Sequence, residues 1–118
     1  MIVNSITETS RLEIVEVTIS DYGLLYQLTG DNEVMKFFPK ILNLGETKEM
    51  VHKILAQYER YGHCFWKVQL KPKGEFIGIA GLLHQEIDGI VETEISYRIK
   101  SKYWNNGYAT EAARACRA

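Results

Sequence analysis

Apolar residues recur along this chain at two spacings, and the switches between them mark its elements. Arg11-Leu12-Glu13-Ile14-Val15-Glu16-Val17 is short and rich in β-branched residues, which predicts a strand. Thr18-Ile19-Ser20-Asp21 then reads as a capping box, with threonine at the N-cap and a carboxylate three residues on. The helix it opens, to about Leu28, carries Leu24, Leu25 and Leu28 on one side. Gly23 weakens that helix by roughly 1 kcal/mol relative to alanine. Asp31 is placed to cap a second short helix, Glu33 to Phe37, ended by Pro39. Asn43 with Glu46 repeats the capping pattern before a longer helix, about 46 to 61. Met50, Val51, Ile54, Leu55 and Tyr58 form its apolar stripe, and Gly62 supplies the stop.

Beyond Gly62 the period falls to two. Trp66, Val68 and Leu70 share one face of a strand from Cys64 to Leu70, and Lys71-Pro72-Lys73-Gly74 turns the chain into a hairpin. The returning strand, Glu75 to Leu83, is apolar on both faces through Phe76-Ile77-Gly78-Ile79-Ala80-Gly81-Leu82-Leu83, which suits a central, doubly covered position. Asp88-Gly89 marks another turn. Val91, Thr93, Ile95, Tyr97 and Ile99 then alternate with Glu92, Glu94, Ser96 and Arg98, the clearest strand pattern in the chain. A strand, two or three helices, three antiparallel strands and a helix describe an α+β fold, helices on a mostly antiparallel sheet, rather than a doubly wound one. With no repeat, low-complexity tract or charge block, residues 1–118 are read as a single domain.

Composition narrows the function classes. The chain is 46% hydrophobic and 25% charged, as an ordinary globular protein is. Its formal net charge of −1, with both signs interleaved, argues against a nucleic-acid binder working through a broad basic face. Cys64 and Cys116 lack metal-ligand spacing and are read as reduced thiols, Cys116 as a packing residue; His52, His63 and His84 are scattered, so no metal is expected. Neither a signal segment nor an apolar run of membrane-spanning length is present, so the expectation is a soluble, cytoplasmic protein without a membrane partner. Phe65 and Trp66 are assigned to sheet packing, and Phe37-Phe38 either to the core or to the wall of a substrate cleft.

The candidate chemistry sits near the end, in Tyr103-Trp104-Asn105-Asn106-Gly107-Tyr108-Ala109-Thr110-Glu111-Ala112-Ala113-Arg114. A strand gives way to a loop with glycine at its tightest point and then to an alanine-rich helix. Free backbone N–H groups and the helix dipole at such a junction suit a phosphate. On spacing alone the same glycine serves a plain strand–helix connection. The longer string decides. Together with Thr9-Ser10-Arg11-Leu12, Asp31-Asn32-Glu33-Val34-Met35-Lys36-Phe37, Gly74-Glu75-Phe76-Ile77-Gly78, Gly81-Leu82 and Glu94-Ile95-Ser96-Tyr97, it resembles the GNAT superfamily of N-acetyltransferases, in the RimJ/RimL-like branch. Gly107 and Ala109 fit the family's phosphate-loop pattern. Trp104 stands where Gln or Arg is commonest, Asn32 where the branch often has proline, and Ser96 where it often has glycine.

The resemblance implies acetyl transfer from acetyl-CoA to a primary amine, such as a protein or peptide N-terminus, by direct attack in a ternary complex. It implies that Asn105, Asn106, Gly107, Tyr108, Ala109 and Thr110 hold the pyrophosphate. Arg98 and Ile99, with Tyr97, would line the pantetheine arm, where the preceding strand splays from its neighbour, often at a bulge. A backbone N–H near Tyr97 would polarise the acetyl carbonyl, and Glu94, with Glu92 behind it, is the candidate proton acceptor; the bland reading of both is a solvated strand face. Family domains run further than Ala118, adding strands and a helix that form the far wall of the cleft, so the chain reads as a C-terminally incomplete GNAT domain. That would leave the strand 91–99 as an exposed edge open to a homodimer or a strand-swapped oligomer. The competing reading is a non-catalytic module that binds CoA weakly or only mediates association.

Overall fold

The computed structural model describes residues 5–36, 38 and 40–117. In chain order its elements are β1 (Ser5–Glu8), β2 (Leu12–Val15), α1 (Tyr22–Thr29), α2 (Leu44–Tyr61), β3 (Phe65–Leu70), β4 (Glu75–Ile87), β5 (Ile90–Ile99) and α3 (Tyr108–Arg117), with short 3₁₀ turns at Ile19–Asp21 and Ser101–Tyr103. The strands form one antiparallel sheet in the order β1-β2-β3-β4-β5. Helices α1 and α2 cover one face, where Leu25, Leu28, Val51, Ile54, Phe65 and Ile79 are buried. On the other face α3 buries Ala112 and Cys116 against Leu12, Ile14, Trp66 and Val68. The α+β class and the helix-covered antiparallel sheet are as the sequence predicts.

Local sequence explains most boundaries. At α2 the reciprocal cap forms: Asn43 Oδ1 accepts from the Glu46 N–H at 2.8 Å, and Glu46 Oε1 accepts from the Asn43 N–H at 3.0 Å. The helix begins at Leu44, slightly earlier than predicted, and ends at Gly62 in the left-handed region (φ 80°). The Thr18 N–H donates to Asp21 Oδ2 at 2.7 Å, but the chain first makes a 3₁₀ turn and becomes α-helical only at Tyr22.

Two expectations need correction. The predicted helix at 33–37 is, over the described residues 32–36, a turn: among the described residues only Met35 N–H to Asp31 O (3.0 Å) has helical reach, and Phe38 N–H steps back to Met35 O. Its cap does form, Asp31 Oδ1 accepting from the Glu33 N–H at 2.8 Å; Phe37 and Pro39 lie outside the described residues. The second correction is β1, which the sequence did not predict: four residues, mostly exposed, carry too little periodicity to register.

Three features fix the sheet and the helical layer over it. The Tyr58 hydroxyl accepts from the Val17 N–H at 3.1 Å and donates to the Phe65 carbonyl. Lys67 and Asp21, both buried, form an ion pair at 2.9 Å. At Gly81 a Cβ would stand 2.0 Å from the Cys64 carbonyl oxygen, so only glycine lets β3 and β4 approach this closely.

Candidate acyl-CoA site

The site is assembled where β5 runs into the loop before α3. β4 and β5 pair without a register shift from Ile87–Ile90 to Gly78–Ile99. The Lys100 N–H donates to the Ile77 carbonyl at 2.8 Å, which sets the phase of the ladder. Hydrogen bonding alternates along an antiparallel pair, so the main-chain groups of Arg98, Ser96 and Glu94 turn inward to β4 while those of Ile99, Tyr97 and Ile95 face the open edge. The Trp104 indole confirms this phase, its Nε1–H donating to the outward Ile99 carbonyl at 2.7 Å. No bulge interrupts the β4–β5 pairing; the register shifts lie instead in β1–β2 and β3–β4. Side chains split similarly. Tyr97 stands opposite Ala80 on the α3 face and is 50% exposed, whereas Arg98 stands opposite Ile79 on the α2 face and is half-buried.

The loop has the backbone an anion cradle needs. Asn105 (φ 67°) and Gly107 (φ 79°) both occupy the left-handed region. The Glu111 N–H donates to the Gly107 carbonyl at 3.0 Å, making Gly107 the N-cap and leaving the N–H groups of Tyr108, Ala109 and Thr110 as the free first turn of α3. A Cβ on Gly107 would meet only Arg11 Nη2, at 3.5 Å, so the loop's concave side is open. Asn106 folds its side-chain amide back onto the Tyr103 and Trp104 carbonyls (3.0 and 3.1 Å) rather than over the cradle. Ile99, Trp104, Asn105, Gly107, Ala109 and Thr110 contribute to the lining of a cavity of about 250 Å³ there.

A clamp missed by sequence reasoning holds this loop. Arg11, ahead of β2, contacts Glu111 through Nε (2.7 Å) and Nη2 (2.6 Å), donates from Nη1 to the Asn106 carbonyl (3.1 Å) and lies over the Tyr108 ring (4.5 Å). The Thr9 hydroxyl donates to the other Glu111 oxygen. Burial raises the Glu111 pKa, but the Thr9 hydroxyl and the Arg11 groups outweigh it, and the carboxyl sits below its ordinary value. The only signal for the pair was Thr9 and Arg11 in one matched string and Glu111 in another.

On the opposite face of the sheet lies an open cavity of about 620 Å³, walled by α2, the 32–36 turn and strands β3 to β5. Phe38, partly buried and packed against the core, contributes to its lining, and so does His84, stacked on Tyr61 at 3.8 Å between ring centroids. Glu94 and Glu92 are exposed on β5. Glu94 lies four residues from Arg98 on the same face, about 13 Å along the strand. Phe65, Trp66 and Cys116 are buried in the core as expected.

The Acetyltransferase (GNAT) domain family model matches residues 11–118, and the chain belongs to that family. Among curated proteins it is similar to the uncharacterized protein YkkB of Bacillus subtilis (strain 168), 36% identical over 95 residues that cover 80% of this chain and 54% of YkkB. Its fold is similar to that of the acetyltransferase from Agrobacterium tumefaciens str. C58, with TM-score 0.80 and 24% identity over 94% of this chain and 63% of that one. It is also similar to RimL, a ribosomal alpha-N-protein acetyltransferase solved with coenzyme A, with TM-score 0.68 and 16% identity over 95% of this chain and 64% of RimL. At those identities the structural likeness carries the fold. The chain spans 54% to 64% of the length of these three proteins. Among the described residues, no helix is long and apolar enough to cross a membrane.

Proposed function

We propose that residues 1–118 form one GNAT-like unit that binds acetyl-CoA and supports acetyl transfer to a primary amine by direct attack in a ternary complex. The observation that carries this reading is the junction of two open backbone surfaces: the outward amides of Tyr97 and Ile99 run directly into the free N–H groups around Gly107. The amides of Asn105 to Thr110 hold the pyrophosphate, with the α3 N-terminus adding its dipole. Arg11 and Glu111 keep the loop in that shape. Ile99 and Tyr97 line the pantetheine arm, flanking Arg98, and the Tyr97 N–H is aimed where a thioester carbonyl oxygen gains charge. The bound donor supplies the acetyl group and a thiolate leaving group. Glu94 takes the proton of the attacking amine, through water given its separation from Tyr97 along the strand.

RimL's acetylation of a protein α-amine supports the amine class of acceptor, and the two free, buried cysteines fit a reducing, cytoplasmic setting. The test is a melting curve of this chain with and without acetyl-CoA. Saturating donor should stabilise it by about 2.7 kcal/mol at a hundred times Kd. An unchanged melting temperature at millimolar acetyl-CoA would favour the association-only reading instead.

A further inference from the structure

We infer that the amine accepted at this site carries a carboxylate, held by the Arg98 guanidinium at the floor of the α2-side cavity. This rests on the acyl-transfer reading and narrows it. Arg98 points into a chamber walled by apolar groups including Met35, Met50, Ile54 and Leu83. Its Cζ lies 4.1 Å from the Phe38 ring centroid and 5.5 Å from that of Phe65, so the two rings fix the guanidinium. Its Nε is buried without a hydrogen-bond partner among the described residues, where Nη1 reaches only the Met35 sulfur at 3.6 Å, a weak acceptor. No carboxylate pairs with it among the described residues. Of the acids on the cavity wall, Glu46 is bonded to Lys40, and Glu49 is exposed on α2.

A half-buried guanidinium with no oxygen acceptor among the described residues is left short of partners, and a ligand can supply them. Its planar edge matches a carboxylate two bonds at a time, and its single charge matches a monoanion. A phosphate, at nearly twice that charge, would call on a second cation; of the lysines lining the cavity, Lys40 is bonded to Glu46 and Lys53 is exposed on α2. Gln57 lines the same cavity and has a buried Oε1 without a donor, an acceptor for a ligand N–H. Arg98 lies on β5 between the outward amides of Tyr97 and Ile99. A carboxylate docked on it therefore leaves a nearby amine at the edge where the thioester is expected.

The probes are L-phenylalanine, L-phenylalaninamide, phenethylamine and O-phosphoethanolamine, titrated calorimetrically into the chain without acetyl-CoA. The amino acid should bind about tenfold or more tightly than its amide or the bare amine, the scale of one charge-assisted pair. Arg98→Gln should erase that preference, and Arg98→Lys should keep only part of it, with circular dichroism reporting that each variant is folded. Equal binding of acid and amide, a preference for the phosphate, no binding of the acid, or an acid preference that survives in Arg98→Gln would each overturn the inference. If Arg98→Gln does not fold, the wild-type acid-to-amide ratio and its partial loss in Arg98→Lys decide. The acetyl-CoA melting shift of the wild type is measured alongside. An acid preference without that shift refutes acyl transfer alone, and the shift without an acid preference refutes only the carboxylate.

Discussion

Replacing Gly107 isolates the contribution of loop shape from that of loop contacts. Its φ of 79° lies where an L-residue with a Cβ is strained by about 1–2 kcal/mol, yet the added Cβ would meet nothing nearer than Arg11 Nη2 at 3.5 Å. Gly107→Ala therefore clashes with no neighbour, and its cost is conformational. In the free chain the loop can relax to escape that strain, and binding a diphosphate must restore the left-handed turn. If the whole strain is returned on binding, the acetyl-CoA Kd rises by about 5- to 30-fold. Asparagine tolerates this region, so Gly107→Asn should lose much less. Isothermal titration of the three proteins with acetyl-CoA gives the ranking glycine, asparagine, alanine in falling affinity. An alanine variant within twofold of wild type, or an asparagine variant as weak as alanine, would refute the claim that the turn's backbone shape sets donor binding.

Tyr58→Phe removes the partner of both the Val17 N–H and the Phe65 carbonyl, and should lower urea stability by about 2–4 kcal/mol at one or two kcal/mol per orphaned group. Gly23 sits exposed in α1 with nothing within 4 Å of an added Cβ, so Gly23→Ala should raise the melting temperature, by about 0.5–1 kcal/mol of stability. The Glu111 pKa is lowered in the folded chain, so its stabilising effect is full above about pH 5 and fades as pH falls through the folded value. Glu111→Gln should accordingly be less stable than wild type at neutral pH, by under about 1 kcal/mol because Arg11 is 44% exposed, and the two melting curves should converge in acid. A gap that widened toward low pH would contradict the clamp.

What the sequence revealed and what it hid divides by range. The α2 cap, its glycine stop, both hairpin turns and the glycine turn that opens α3 are written in neighbouring residues, and each formed as read. The 33–37 segment had a cap but too few residues behind it to continue as a helix. Alternation placed Arg98 correctly on the opposite face from Tyr97 but suggested that this face was polar and wet. The rings of Phe38 and Phe65, 60 and 33 residues away, instead enclose the side chain. The Arg11–Glu111 clamp spans 100 residues, and no local pattern announces it.

The phase of β5 has a consequence for proton exchange with solvent. Amides at 94, 96 and 98 are tied to β4, while those at 95, 97 and 99 have no partner strand among the described residues, so deuterium should enter this strand at every second residue. Anything that lies along the edge, a pantetheine arm or another strand, would slow the fast set and leave the slow set unchanged. Site-resolved exchange can thus report occupancy of this edge even when no catalytic turnover is measured.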